Sequence, residues 1–170
     1  MDSELFPVVN EKGDVIGKAT RKECHSGSFL LHPVVHIHIF NTQGEVYLQH
    51  RSMDKDIQPG KWDTSVGGHI DYGEARDDAA RRECREELGV EAGNLEFLYT
   101  YIWKSAREHE LVYVYRLIYD GPFAPDEVEV TEGRFFSADE IKSLSESDFF
   151  TPNFLYDWGK LCDYLQQTAK

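Results

Sequence analysis

The chain contains 170 residues, of which 41% are hydrophobic, and it carries a formal net charge of −13 at pH 7. This length and hydrophobic content are sufficient for one buried core, so we expect a single domain over residues 1–170. The negative charge disfavours binding to nucleic-acid polymers, whose phosphates are usually held by basic surfaces.

The amino terminus and the cysteines indicate the cellular compartment. Residues 1–7 contain neither the basic segment nor the apolar run of a secretory signal, and no apolar stretch is long enough to cross a bilayer. The three cysteines, Cys24, Cys84 and Cys162, show no paired spacing. These features predict a protein of the reducing cytoplasm that has no membrane partner.

In the first half of the chain, turn residues separate short apolar runs. Strands are predicted at 6–9 and 15–19 around one turn, and at 34–40 and 46–51 around a second. The adjacent glycines Gly67 and Gly68 predict a further turn, which leads into a helix over residues 74–88.

The second half contains two long strands and two helices. Residues 95–103 and 111–119 are rich in β-branched and aromatic side chains, which favour strands. A short strand at 134–136 precedes a capping box formed by Ser137 and Glu140. Thr151 and Pro152 begin a terminal helix whose apolar stripe predicts core packing. Mixed strands with an inserted helix predict an α/β fold.

The helix over residues 74–88 has two chemically different faces. Glu83, Glu86 and Glu87 are three and four residues apart, so their carboxylates share one face and repel one another. A hard divalent cation such as Mg²⁺ relieves this repulsion, because it takes carboxylate oxygens as ligands. The opposite face is apolar and is predicted to pack on a core through Ala80, Cys84 and Leu88.

The spacing around this helix resembles the signature of the Nudix hydrolases. Gly68 is followed after five residues by Glu74, and after seven more by the pair Arg82-Glu83. The glutamates at 86 and 87 and the glycine at 89 complete the pattern, and Cys84, at an aliphatic position, is its one departure. The resemblance implies the Nudix fold, a mixed β-sheet between α-helices with a loop–helix–loop signature.

The resemblance also implies a metal-dependent hydrolysis of a diphosphate linkage. The implied ligands of Mg²⁺ (or Mn²⁺) are the backbone carbonyl of Gly68 and the carboxylates of Glu83, Glu86 and Glu87. Arg82 is expected to orient the glutamates, and Glu74 to steady the signature loop. The base that deprotonates the attacking water is left open between Glu83, Glu86 and a later acid such as Glu132.

The segment before the signature resembles isopentenyl diphosphate isomerases and their Nudix relatives. Gln49-His-Arg51-Ser52, Lys55 and Pro59-Gly-Lys-Trp62 carry this likeness, which implies that Arg51 and Lys55 bind the substrate diphosphate. A solvated basic loop is the alternative reading of the same two residues.

A set of histidines extends the likeness to the isomerases. It implies a second metal site, for Zn²⁺ or Mn²⁺, at His25, His32 and His69 with Glu110 or Glu108. Taken singly, each of these histidines is more typical of a surface or hydrogen-bonded residue.

One residue separates this chain from the isomerases. Gly67 stands where the resemblance places the catalytic cysteine, and glycine has no side chain for acid–base chemistry. We therefore favour a hydrolase acting on a small nucleoside-diphosphate-type or related diphosphate. An isomerase-like enzyme and a noncatalytic diphosphate-binding module are the alternatives, and the oligomeric state, a homo-oligomer included, is left open.

Several other side chains border this predicted site. His36 and His38 share one strand face, and they could contact substrate if that face lines the cleft. They are interpreted instead as covering the sheet under loops and are left out of the site. Trp62 and Tyr72 flank the signature and are interpreted as packing residues, with stacking on a base as the alternative.

Overall fold

The computed structural model describes residues 4–53, 58–125 and 130–169. The elements lie along the chain in the following order: β1 Leu5–Val9, β2 Val15–Thr20, α1 Arg21–Cys24, β3 Leu31–Phe40, β4 Val46–Arg51, β5 Trp62–Asp63, β6 Val66–His69, α2 Arg76–Leu88, β7 Glu96–Lys104, β8 His109–Ile118, β9 Val130–Phe136, α3 Ala138–Leu144 and α4 Pro152–Thr168.

The main sheet is mixed and is centred on β3. Within the described residues its strand order is β5-β4-β3-β8-β7, with β6 also paired to β3 and β9 to β4. Strands β3 and β8 run parallel from the pair Leu31 and His109 to the pair Phe40 and Ile118, whereas β4 and β6 are antiparallel to β3. Strands β1 and β2 form a separate antiparallel hairpin.

Helices cover both faces of this sheet. Alternate β3 residues such as Ile37 and Ile39 join the buried cluster that contains Ala80, Cys84 and Leu88 of α2. The next β3 residue, Phe40, belongs to a second cluster, with α3 and α4. This alternation is expected for a strand buried on both sides. The predicted arrangement of a mixed sheet between helices is therefore confirmed.

The predicted turn at Gly67 and Gly68 is wrong. Both glycines lie in β6, where they pair with His36 and Val35 of β3. Glycine permits turn and strand conformations alike, so the available partner strand decides the outcome. The chain reverses later, where the amide of Glu74 donates to the carbonyl of Asp71 at 3.0 Å.

Helix α2 begins at Arg76 with Ala75 as its N-cap, two residues after the predicted start. Glu74 is therefore part of the preceding turn and is available to bind side chains. The apolar packing predicted for Ala80, Cys84 and Leu88 is confirmed, because all three are fully buried.

Other elements match the predictions at their ends or extend them. The capping box of Ser137 and Glu140 and the N-cap Thr151 before Pro152 are confirmed. The short helix α1, which has its own capping box at Thr20 and Glu23, and strand β5 were not predicted. The three cysteines are free thiols. None of the helices in the described ranges is long and apolar enough to cross a membrane.

Candidate active site

One acidic cleft, with a volume of about 940 Å³, collects most of the residues singled out in the sequence. Its charged lining, within the described part of the chain, comprises the carboxylates Glu4, Asp63, Asp71, Glu83, Glu86, Glu87, Glu108 and Glu110 and the guanidinium groups of Arg21, Arg51 and Arg82. A cleft with so many carboxylates attracts cations and repels free anions.

The packing of α2 on the sheet directs its glutamates into this cleft. The helix ends at Gly89, which has the left-handed conformation (φ 64°) of a common C-terminal cap. With the apolar face fixed on the core, Glu83 and Glu87 lie partly buried at the cleft wall. The third glutamate, Glu86, is the most solvent-accessible, with 59% of its side chain exposed.

Arg82 joins the turn before α2 to the acidic face of that helix. Its Nε and Nη2 donate to the two carboxylate oxygens of Glu74, both at 2.9 Å. Its Nη1 donates to Glu83 at 2.8 Å and to Glu86 at 3.2 Å, and Nη2 also donates to the carbonyl of His69 at 3.0 Å. A planar guanidinium can donate to several oxygen acceptors at once, so Arg82 fixes Glu83 and Glu86 relative to β6.

Gly68 lies directly against the carboxylate of Glu83. A Cβ atom built at this glycine would be 2.2 Å from Cδ of Glu83, far inside van der Waals contact. The lack of a side chain at position 68 therefore allows the β6 backbone and the helix carboxylate to approach one another.

Glu87 is held from the opposite side by β4. Gln49 donates to Oε1 of Glu87 at 2.9 Å, and the other carboxylate oxygen, Oε2, is buried without a hydrogen-bond partner among the described residues. Burial is the main cause that raises the pKa of both Glu87 and Glu83, and the proximity of the two carboxylates raises the pKa of Glu87 further. An orphaned buried oxygen beside a second carboxylate fits a bound divalent cation.

The histidines form a second cluster next to the first. Nε2 of His25, at the end of α1, is 3.1 Å from Nε2 of His69 on β6. One ring nitrogen of each of His25, His32 and His69 lies within 4.8 Å of the others. Burial lowers the pKa of all three imidazoles, which favours the neutral form that binds metals.

Two acids of β8 and its preceding turn adjoin these histidines. Oε2 of Glu110 is 3.8 Å from Nε2 of His32, a buried nitrogen without a hydrogen-bond partner in the described part of the chain. Glu108 and Glu110 group with His32 within the same 4.8 Å limit. Burial and the neighbouring Glu108 raise the pKa of Glu110 well above its usual value. The donor set of neutral imidazoles and carboxylates fits Zn²⁺ or Mn²⁺.

The remaining residues predicted for the cleft are Arg51, Lys55 and Tyr72. Arg51 lines the cleft, donating to Asp63 at 3.3 Å and to the carbonyl of Gln58 at 3.2 Å, whereas Lys55 lies outside the described residues. Tyr72 lines the cleft and is 49% exposed.

Two other predicted neighbours are not among the described residues that line the cleft. Trp62 is buried and stacks on Phe149, which agrees with its interpretation as a packing residue. Glu132 is exposed on β9, opposite His50 of β4.

Three residues of the cleft region were not predicted. Gln49 could have been recognised because it lies in the quoted Gln-His-Arg string. His36, which was left out of the site, lines the cleft, and this is the arrangement in which it could contact substrate. Its partner Asp157 is a buried acid on the apolar face of α4. An acid among the apolar positions of a helix indicates a paired, buried carboxylate, so Asp157 could have been noticed in the sequence.

Comparison with known proteins agrees with this geometry. A family model described as the NUDIX domain matches residues 30–157. The chain is 31% identical over 157 residues to an isopentenyl-diphosphate Delta-isomerase of Streptomyces avermitilis, covering 89% of this chain and 80% of that protein. It is 29% identical over 168 residues to the uncharacterised Nudix hydrolase YfcD of Escherichia coli, covering 99% of this chain and 90% of that protein.

Solved structures show the same fold. The DR0079 protein of Deinococcus radiodurans superposes with a TM-score of 0.79 at 26% identity, covering 94% of this chain and 99% of that one. The NUDIX domain of NrtR from Shewanella oneidensis, solved with ADP ribose, has a TM-score of 0.61 at 18% identity, covering 81% and 88% of the two chains. Because the family model spans more than half of the sequence, the chain belongs to the Nudix family, and within it resembles the isopentenyl diphosphate isomerase-like proteins.

Proposed function

We propose that this protein is a metal-dependent Nudix hydrolase that cleaves the diphosphate linkage of a small nucleoside-diphosphate-type or related compound. It would act as a single domain in the cytoplasm, without a nucleic-acid polymer or a membrane as partner. The observation that carries this proposal is the partly buried pair Glu83 and Glu87 beside the backbone of Gly68, with one carboxylate oxygen of Glu87 that has no hydrogen-bond partner among the described residues.

The residues of this cluster divide into metal ligands, positioning residues and diphosphate-binding residues. The carbonyl of Gly68 and the carboxylates of Glu83, Glu86 and Glu87 would hold Mg²⁺ or Mn²⁺. When bound, such an ion neutralises the diphosphate charge and acidifies a water. Arg82 keeps Glu83 and Glu86 in place through its hydrogen bonds, and Glu74 fixes Arg82. Arg51, which lines the cleft, and Lys55 would bind the diphosphate.

Proton transfer from the attacking water requires a carboxylate that solvent reaches. Both main base candidates accept a hydrogen bond from Arg82, but Glu86 is the more exposed, whereas Glu83 has a raised pKa caused chiefly by burial. We assign catalytic roles to both glutamates and to Arg82.

The histidine cluster supports a second, distinct metal site. His25, His32, His69 and Glu110 would hold Zn²⁺ or Mn²⁺ there, since imidazole suits these ions better than Mg²⁺. An ion at this position would stabilise the cleft or orient substrate, because isomerase chemistry lacks the side chain that it needs at Gly67.

The isomerase-like reading is the second candidate, and it rests on the identity to the isomerase of Streptomyces avermitilis. It would require an acid–base pair across the carbon skeleton of the substrate. Position 67 offers only a hydrogen atom there, so we rank this reading below hydrolysis.

A product screen tests the proposal. The purified protein would be incubated with nucleotides, nucleotide sugars, dinucleoside polyphosphates and prenyl diphosphates, with Mg²⁺ or Mn²⁺ or with a chelator. We expect phosphate or a monophosphate ester from at least one class, only when metal is present. Double-bond isomerisation of a prenyl diphosphate without phosphate release would favour the isomerase, and binding without any product would favour the noncatalytic module.

A further inference from the structure

A polar network on the face of the sheet opposite α2 reaches the same cleft. Nδ1 of His36 and Nε2 of His38, both on β3, each lie 3.0 Å from Oδ2 of Asp157 on α4. His38 and Asp157 are fully buried, whereas the His36 side chain is 16% exposed and lines the cleft. Of the three groups, only His36 is therefore accessible to a ligand.

The hydrogen bond with Asp157 fixes the orientation of the His36 imidazole ring. With Nδ1 held by the carboxylate, the other ring nitrogen, Nε2, makes no hydrogen bond among the described residues and remains available on the cleft side. Burial lowers the pKa of His36, but the charge and hydrogen bond of Asp157 outweigh it and raise the pKa overall. A hydroxyl group can pair with Nε2 in either protonation state, since it is both donor and acceptor.

Gly67 is what leaves this nitrogen uncovered. A Cβ atom at position 67 would be 3.5 Å from Cδ2 and 3.9 Å from Nε2 of His36, which is van der Waals distance, so a side chain at this position would pack against the imidazole. The next residue, Gly68, opens toward Glu83 instead. Adjacent strand residues face opposite sides of a strand, so Gly67 faces His36 on one side of β6 and Gly68 faces the acidic cluster on the other.

This placement assigns His36 to the part of the substrate beyond the diphosphate. The lining of the same cleft includes the polar side chains of Thr64 and Asn153 as well as the apolar Val34, two residues before His36 on β3. We propose that His36 is a specificity-determining residue, positioned by Asp157 and uncovered by Gly67, that pairs with a hydroxyl on a sugar-type group attached to the diphosphate. An apolar prenyl group would leave Nε2 desolvated and unpaired, which costs affinity. The inference rests on the proposed function.

Non-hydrolysable probes test it independently of turnover. The dissociation constants of α,β-methylene adenosine diphosphate, the isopentenyl ester of methylenediphosphonate and methylenediphosphonate itself would be measured with Mg²⁺, since a P–CH2–P bridge in each replaces the bond that the enzyme would cleave. The first probe has a ribose next to the diphosphate, the second an apolar chain, and the third neither. We expect the adenosine probe to bind roughly tenfold or more tightly than the isopentenyl probe.

Variants of the network should change this preference alone. His36→Leu and Gly67→Val should each weaken binding of the adenosine probe about tenfold without weakening binding of the other two probes. His36→Gln, which keeps a polar group, should lose no more than about threefold in affinity for the adenosine probe. Asp157→Asn should weaken the adenosine probe and spare methylenediphosphonate, which a collapsed fold would not do. Cys162→Ser on the same helix is the matched control.

In the wild-type protein, the ¹⁵N resonance of His36 Nε2 should move with the adenosine probe and stay still with methylenediphosphonate, so the test does not depend on any variant folding. The inference would be overturned if the ratio of the dissociation constants of the adenosine and isopentenyl probes stayed unchanged in His36→Leu and Gly67→Val, or if the resonance did not move. Neither result would count against hydrolysis. Failure of methylenediphosphonate to bind with Mg²⁺ would overturn this inference and the proposed function together.

Discussion

Arg82 is the residue on which the geometry of the acidic cluster depends. Its guanidinium donates to Glu74, Glu83 and Glu86 and to the carbonyl of His69, which no other side chain in the described cleft does. A lysine at this position has one compact ammonium and cannot span these acceptors in one plane. The glutamates would then be free to separate.

We predict that Arg82→Lys lowers kcat/KM by one to two orders of magnitude and the free energy of unfolding by about 1–3 kcal/mol. Arg85→Lys, an exposed position on the same helix, is the matched control and should change neither. Steady-state kinetics and urea unfolding check both. Equal values for the two variants would remove Arg82 from its orienting role.

Gly68 gives a second prediction at this scale. In Gly68→Ala the new methyl group would lie where the Glu83 carboxylate now is, and the flexible end of that side chain must move. Because only a side-chain terminus shifts, we expect kcat/KM to fall about tenfold or more while the melting temperature changes little.

The control for that substitution is Gly93→Ala, where a Cβ atom meets nothing within 4 Å. It should leave both quantities unchanged. Wild-type turnover in Gly68→Ala would show that contact between this backbone and Glu83 is dispensable.

Among the elements, α4 and β3 are joined by the bonds from Asp157 to His36 and His38. Burial alone would raise the pKa of Asp157, but the two histidines lower it, so its stabilisation is present above the pKa of an unfolded aspartate and is lost as pH falls. Because the pKa of His36 is raised in the folded protein, the stabilisation that His36 contributes is fully present below its unfolded pKa of 6.5. It is lost as the pH rises through the pKa of His36 in the folded protein.

The network should therefore stabilise the fold most between about pH 4 and 6.5. We predict that Asp157→Asn lowers the free energy of unfolding by about 3 kcal/mol near pH 5.5 and by less near pH 9. Asp163→Asn, exposed on the same helix, is the control. Urea unfolding at both pH values is the measurement, and a loss that grows with pH would contradict the assignment.

The histidine cluster joins the C-terminal end of α1 to β3 and β6. If it holds a transition metal, elemental analysis of the purified protein should find Zn or Mn near one equivalent, and the His25→Ala/His32→Ala double variant should lose it. His50→Ala, which removes an imidazole outside the cluster, should retain it. Near-zero metal in all three proteins would leave these histidines with a structural role.

The elements also show which features a sequence can and cannot predict. Helix α2 and its glutamate face follow from spacing within one helical turn, so both could be predicted locally. The strand β6 could not, because two adjacent glycines have no strand preference and only pairing with Val35 and His36 fixes them. The bond between His36 and Asp157 joins residues 121 positions apart, which no local pattern reveals.

At the scale of the whole molecule, the negative charge of the protein opposes binding of a diphosphate. The chain carries a net charge of −13, and the cleft adds a concentration of carboxylates to that background. A diphosphate would be repelled from such a cleft unless a divalent cation lay between it and the glutamates. Metal dependence is therefore the central claim of the proposed function.

The most direct test is kcat/KM of Glu86→Gln, with Mg²⁺, on the best substrate from the screen. This change preserves the shape of the side chain and removes one negative charge from the exposed side of the cluster. Loss of a charge contact to the metal should lower kcat/KM on the order of a hundredfold, which is about 3 kcal/mol of transition-state stabilisation. Glu91→Gln, an exposed position just beyond the helix, should retain wild-type activity. An unchanged kcat/KM in correctly folded Glu86→Gln would contradict the assignment of this helix as the catalytic metal site.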